Sequence, residues 1–186
     1  MSIYSAYENA STATSVSDSD LIYVLNGTSP NYALKTITGR NFQVSGATAI
    51  DTTATTLTIT QATHGNKTVT VSSAAPIAIT LPQATGTGTR YRFVVMVAAT
   101  GTQHTIKVAN ATDVMQGYVF ALTTSSANVI GYGTSATSDT ITLNGTTTGG
   151  VAGSMWEIED IKTGFFRVMG FDAPTGTTAT PFSATV

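Results

Sequence analysis

Apolar and polar residues alternate with a period of two through most of the chain after about residue 47. In the segment Thr56–Thr60, Leu57 and Ile59 fall on one face and three threonines fall on the other. Such alternation is typical of a half-buried strand. The same pattern, or a more continuous apolar run, recurs at 68–72, 77–81, 91–97, 105–108, 118–122 and 140–143.

Turns rich in Gly or Thr separate these runs at spacings of roughly 10 to 15 residues, and no window has a helical period. The segment 91–97 is the most continuously apolar, which predicts a central strand. This spacing favours a sandwich or barrel over βαβ units. The sequence therefore predicts an all-β fold, an antiparallel β-sandwich or barrel of jelly-roll-like form.

The segments 155–161 and 165–170 predict a hairpin closed by the loop 162–164, whose last residue is Gly. In that register Ile158 lies opposite Val168, and Glu159 lies opposite Arg167. Trp156, Ile158, Phe166 and Val168 share one face, while Glu157, Glu159 and Arg167 share the other. This register puts the apolar residues on one face and places opposite charges across from each other. Glu159 and Arg167 are therefore a candidate structural pair.

The N-terminal part of the chain has a different pattern. Residues 1–20 show little periodicity and predict an extended arm, and the apolar runs 21–25 and 32–37 predict a loose hairpin. The polar connector 39–46 is the boundary candidate. We therefore divide the chain into residues 1–46, an arm that gains order only against a partner, and residues 47–186, a β-domain.

Composition narrows the classes of function. Only 10% of residues are charged, the net charge is −2 and there is no Cys. These values give no basic surface for nucleic acid and no polybasic anchor for a membrane. The first fifteen residues lack a signal-peptide pattern, and the apolar run 93–99 is too short to span a bilayer. We expect a soluble chain made in the cytoplasm.

A Thr-rich β protein with few charges must protect its sheet edges in some other way. Closing those edges inside a symmetric oligomer is one solution. The expected state is a homotrimer, with Trp156 or Phe166 as candidates for its apolar centre.

Candidate chemistry is sparse. Glu157 and Glu159 alternate on one strand and so lie roughly 6.5 to 7 Å apart, within the range of about 5 to 9.5 Å that glycosidase carboxylates need. The polar face of an amphipathic hairpin explains them better, and Asp160 is expected to be a turn acceptor. His64 and His104, the only histidines, are expected at the surface or an interface because no local cluster supplies further metal ligands. We expect no enzyme activity, no cofactor and no metal.

Seven stretches occur together in an order that resembles structural proteins of tailed bacteriophages. They are HGNKTV (64–69), ITLPQATGTG (79–88), YRF (91–93), IKVANATDVMQG (106–117), DTITLNGTTTGG (139–150), WEIED (156–160) and GTTATPFSA (176–184). The segment from Asp20 to Thr38 also resembles the N-terminal anchor of phage fibre proteins. The resemblance covers the chain from about residue 56 onward and implies a virion role. It transfers no catalytic residue.

Three functions are compatible with these features. The first is a capsid decoration (cement) protein that binds the outer shell as a trimer, with the major capsid protein or another virion protein as its partner. The second is a short head or tail fibre that binds a host-surface glycan, for which exposed Tyr118 or Tyr132 would serve. The third, a capsule-degrading enzyme, is disfavoured by scarce charge. The candidate virion-anchoring residues are Leu21, Ile22, Tyr23, Val24, Tyr32, Leu34 and Ile37.

Overall fold

The computed structural model describes residues 49–100, 102–123 and 128–186, and the backbone alone of residues 21–26 and 33–38. The chain divides into two units, residues 1–47 and 48–186. In the first unit, strand β1 (Leu21–Asn26) pairs antiparallel with β2 (Ala33–Thr38). These strands coincide with the apolar runs 21–25 and 32–37, and the loose hairpin stays a prediction.

The arm (residues 1–20), Tyr32 and the connector 39–46 lie outside the described residues, as do the side chains on β1 and β2. The candidate virion-anchoring residues on β1 and β2 are Leu21, Ile22, Tyr23, Val24, Leu34 and Ile37. Their anchoring role, and that of Tyr32, stays a prediction.

The described part of the second unit contains twelve strands in two sheets. In chain order they are β3 (Ile50–Thr52), β4 (Thr56–Thr58), β5 (Lys67–Val71), β6 (Ala78–Thr80), β7 (Arg90–Val95), β8 (His104–Lys107), β9 (Val114–Leu122), β10 (Val129–Gly133), β11 (Thr140–Leu143), β12 (Met155–Lys162), β13 (Phe165–Asp172) and β14 (Phe182–Ser183). The larger sheet has the order β10-β9-β13-β12-β7-β5-β3, and the smaller has the order β14-β11-β8-β6-β4.

Strands β3 to β8 alternate between the two sheets. As a result β3, β5 and β7 are parallel neighbours in the larger sheet, and β4, β6 and β8 are parallel neighbours in the smaller. The chain winds here like a flattened coil, in the manner of a β-solenoid. Strand β13 then pairs parallel with β9.

The all-β prediction is confirmed, but the prediction of an antiparallel, jelly-roll-like arrangement is wrong, because both sheets are mixed. Parallel neighbours need a crossover connection, which is commonly a helix. In this protein each crossover between β3 and β8 runs through a strand of the opposite sheet, and its described residues contain only the single helical turn Gln61–His64, too short to reveal parallel pairing. The alternation of apolar and polar residues is the same for either direction.

The two sheets share one apolar core. Across the smaller sheet one row of facing residues consists of Leu57, Ile79, Ile106, Ile141 and Phe182. The Trp156 ring on the larger sheet meets the Phe182 ring edge to face, with centroids 6.0 Å apart.

Trp156 and Phe166 are both fully buried in this core. The expectation that one of them forms the apolar centre of a trimer is therefore wrong. The same alternation that identified them as one face of the hairpin also turns that face toward the opposite sheet.

The β12–β13 hairpin has the register that the sequence predicts, with Ile158 opposite Val168 and Glu159 opposite Arg167. The loop is shorter than predicted, because β12 continues through Lys162 and the register shifts by one residue between Asp160 and Lys162. That bulge leaves the Ile161 side chain exposed.

One helical turn, α1 (Gln61–His64), precedes β5. Thr60 caps it, accepting a hydrogen bond from the Thr63 N–H at 3.3 Å through its hydroxyl. The His64 ring Nδ1 accepts from the Thr60 N–H at 3.0 Å, and the side chain is buried. The expectation of a surface histidine is wrong here because this ring closes the turn.

Candidate functional site

Four buried aspartates lie in strands or directly before them and accept hydrogen bonds from loop residues. They are Asp113, Asp139, Asp160 and Asp172. Asp113 accepts the Ala84 N–H at 2.9 Å. Asp139 accepts the backbone N–H groups of Thr185 and Val186, at 2.8 and 3.2 Å, and so fastens the C-terminus. Buried carboxylates need such donors to offset the cost of leaving water.

Asp160 occupies an inward position of β12, two residues after Ile158. Its carboxylate accepts the N–H groups of Thr85, Gly86 and Thr87, at 3.0, 2.7 and 3.2 Å. Burial raises the pKa of this carboxyl, but the hydrogen bonds from Gly86 and Thr87 outweigh burial, and the net pKa is lowered. Asp160 was predicted to accept hydrogen bonds in its own hairpin turn, whereas its donors lie in the loop 85–87, distant in sequence.

Asp172 ends the inward row of β13. It accepts from the Gly150 N–H at 2.9 Å and from the Ser154 hydroxyl at 2.5 Å. Gly149 and Gly150 both have positive φ, and a Cβ at Gly149 would lie 2.0 Å from the Asp172 carboxylate. Burial raises the pKa of this carboxyl above its ordinary value, and the donors offset burial only in part.

The Glu157–Glu159 pair is engaged with arginines from both neighbouring strands. Glu159 accepts from Arg90 at 3.2 Å and from Arg167 at 2.9 Å, and Glu157 accepts from Arg92 at 3.1 Å. The side chains of the arginines are half exposed, so each ion pair contributes little to stability. Because both carboxylates already bind guanidinium groups, the arrangement fits cross-strand pairing better than acid–base chemistry.

His104 is buried at the start of β8, which makes the expectation of a surface or interface histidine wrong here too. Its Nδ1 accepts from the Ile77 N–H at 3.1 Å, and its Nε2 lies 3.2 Å from the Val97 carbonyl oxygen. A neutral ring with its proton on Nε2 satisfies both contacts. Burial lowers the pKa of His104, although the bond to Val97 opposes that shift.

The outer side of the larger sheet carries an apolar surface where β9, β10 and β13 meet. The sheet register places Met169 beside Tyr118, Phe171 beside Phe120, and Val129 beside Leu122. The Phe120 and Phe171 rings stack with centroids 5.9 Å apart. We call this surface the apolar face, and its members with their exposed fractions are Tyr118 (67%), Phe120 (46%), Leu122 (50%), Val129 (64%), Met169 (42%) and Phe171 (49%).

Two depressions mark the apolar face. A cleft of about 660 Å³ lies beside Phe120, Leu122, Val129 and Phe171, and Asp172 lines its polar side. A second, of about 350 Å³, lies beside Tyr118, Met169 and Ile161. Contiguous apolar surfaces of several hundred Å² on a folded domain mark sites of interaction. The apolar face is therefore the candidate functional site.

Sequence reasoning identified part of this face. Tyr118 is exposed as expected, whereas Tyr132 is half-buried and its hydroxyl donates to the Thr178 hydroxyl at 2.5 Å. Phe120, Leu122, Val129, Met169 and Phe171 were missed. The available signal was that these bulky residues fall at outward positions of the alternation, on the same face as Arg167.

Among the described residues, no three His, Cys, Asp or Glu side chains lie close enough to hold a metal ion. No helix of that part of the chain is long and apolar enough to cross a membrane. No protein-family model, curated protein or solved structure matches the chain. In the described part of the second unit the geometry is that of a β-sandwich-like fold with two mixed sheets and an exposed apolar face.

Proposed function

We propose that the chain is a non-enzymatic structural protein of a phage virion, a decoration protein that binds the outer shell of the capsid as a homotrimer and stabilises it. The observation that carries the proposal is the apolar face, a surface suited to contact with protein. The resemblance of residues 56 to 186 to phage structural proteins supplies the context of the virion.

The state of the acidic groups also favours a structural role. The buried aspartates bind loops, and the two glutamates on the polar side of the hairpin bind arginines. A hydrolase needs a carboxylate poised to exchange a proton with substrate. The four buried aspartates and the two glutamates instead bind groups within the domain, which suits a protein with a structural role.

The partners in this proposal are the major capsid protein or another virion protein, with attachment through residues 1–46. The protein is made in the host cytoplasm and ends on the outer surface of the particle. No nucleic acid, membrane or cofactor takes part.

Quantitative mass spectrometry of purified virions tests the proposal. A decoration protein is present in hundreds of copies, because the shell repeats its binding site many times. A copy number of about a dozen or fewer would assign the chain to a fibre. Absence from the particle would refute a virion role altogether.

A second candidate is a short head or tail fibre that binds a host-surface glycan. The exposed Tyr118 ring and the stacked Phe120–Phe171 pair favour it, since exposed aromatic faces suit stacking against a sugar ring. Binding of the purified protein to host cell-surface polysaccharide, lost on Tyr118→Ala, would support this alternative over the shell protein.

A further inference from the structure

We infer that the apolar face is the surface through which copies of this chain associate, so that its occupant is a second copy. This inference deepens the proposed function and rests on it for the expectation of an oligomer. The apolar centre of the oligomer is then formed by exposed residues that a neighbouring chain can reach, and not by Trp156 or Phe166, which are buried.

The apolar face exposes much of the area that an interface between copies needs. The exposed parts of the six residues of the apolar face together amount to several hundred Å², which is the larger part of the ~800 Å² that each partner contributes to a standard interface. Among the residues that line its two depressions, the charged ones are Arg167, which is paired with Glu159, and Asp172, which is buried. Interfaces between identical subunits are more apolar than transient interfaces, so the composition favours a permanent contact between copies.

The charges around the apolar face do not oppose association of two copies. The arginines and glutamates that border the face on β7, β12 and β13 are already paired within one chain. The net charge of the whole chain is only −2. Copies of the chain can therefore bring their apolar faces together around a shared axis without a strong field of like charge between them.

The edge strand beside the apolar face lacks the usual protection against pairing with another chain. Strand β10 lies at the edge of the larger sheet and, within the described residues, pairs only with β9. Its sequence, VIGYG, contains neither charge nor Pro, the usual protection of an exposed edge. A second copy docked on the apolar face would cover this edge as well.

The test compares two double variants of the full chain by light scattering at micromolar concentration. Phe120→Lys with Phe171→Lys places two charges in the apolar face. Thr56→Lys with Thr58→Lys places the same charges on β4 of the other sheet, where both threonines are exposed. The unaltered chain and the Thr variant should be oligomers, and the Phe variant should dissociate at least about tenfold more readily, because burying unpaired charge opposes association.

A second measurement covers the case in which the Phe variant fails to fold, which its thermal melt would reveal. The chain has no Cys, so Leu122→Cys and Thr58→Cys each introduce a single site for a pyrene label. Excimer emission from the label at 122 but not at 58 is expected. A monomeric unaltered chain, an unchanged oligomer in the folded Phe variant, or excimer at 58 alone would each overturn the inference. None of these results changes the copy number in virions, so failure here is distinguishable from failure of the virion role.

Discussion

Trp156 lies over Gly170 on the neighbouring strand, and the indole occupies the space that a side chain at position 170 would need. The two residues are directly opposite in the β12–β13 register. A Cβ at Gly170 would lie 2.7 Å from the nearest ring carbon of Trp156, closer than carbon atoms pack. Trp156, the largest side chain of the core, therefore fits only because the residue opposite it, Gly170, has no side chain.

Gly170→Ala should lower the free energy of unfolding by about 1–3 kcal/mol, because the added methyl overpacks the core and displaces the indole. Gly131→Ala is the matched control, since it also lies in a strand of the larger sheet but its Cβ would have no atom within 4 Å. That control should change stability by less than about 0.5 kcal/mol. Urea unfolding of both variants measures the difference, and equal effects would contradict the role of Trp156.

Asp160 should support the fold at neutral pH and lose that effect in acid. Its pKa in the folded protein lies below the ordinary value of 3.8, so its contribution is fully present above 3.8 and disappears as the pH falls through the lowered pKa. Asp160→Asn should therefore destabilise the protein at pH 7, and the gap from the unaltered chain should shrink below pH 4. Urea unfolding at a series of pH values checks this, and a gap independent of pH would contradict it.

Asp172 should show the opposite trend. Burial raises its pKa above 3.8, so the folded protein holds the proton more tightly than the unfolded chain does. Its favourable contribution is fully present below 3.8 and is lost as the pH rises through the raised pKa. Relative to Asp172→Asn, the unaltered chain should therefore lose stability as the pH rises from 3.8. Parallel titrations of the Asp160 and Asp172 variants should diverge in sign.

His104 should make the domain sensitive to mild acid. Its pKa is lowered from 6.5, so stability is full above 6.5 and falls as the pH drops from 6.5 through the lowered pKa. Protonation would also remove the acceptor for the Ile77 N–H. His104→Gln should be less stable at pH 7.5 and should lose the part of the pH dependence that this ring causes. Thermal melts between pH 5 and 8 test it, and an unchanged pH profile in the variant would count against the assignment.

The alternation of side chains along each strand was sufficient to predict the all-β class, the β12–β13 register and the buried faces. It could not reveal that half of the strand pairs in the two large sheets are parallel, because the period of two is the same in either direction. Nor did it find β3, β10 and β14. The predicted strands β4 and β6 lie in longer alternating runs, whereas β3 and β14 do not, and the two glycines of β10 (VIGYG) leave too few side chains to show an alternation. The partners of Asp160 and Asp172 lie up to 75 residues away along the chain, beyond the reach of local patterns.

The apolar face escaped prediction for a related reason. The outward residues of β9 and β13 become one surface only after these strands pair, although about fifty residues separate them along the chain. Each strand taken alone shows bulky apolar residues at outward positions, but it does not show which strand lies beside it. Only the pairing of Phe171 with Phe120 and of Met169 with Tyr118 makes the surface continuous.

Residues 1–46 and 47–186 should have separate roles, attachment to the particle for the first and folding and association for the second. A truncated chain that begins at Gly46 should stay soluble, unfold cooperatively and keep its oligomeric state, because the described core is formed by residues of the second unit. The apolar face also belongs to that unit. The same truncated chain should fail to bind particles that lack the native protein, because residues 1–46 are proposed as the anchor. Cosedimentation with such particles measures binding, with the full chain as the control. If the truncated chain aggregates or unfolds, residues 1–45 complete the core instead. If it remains folded and still binds particles, the anchor lies in the β-domain.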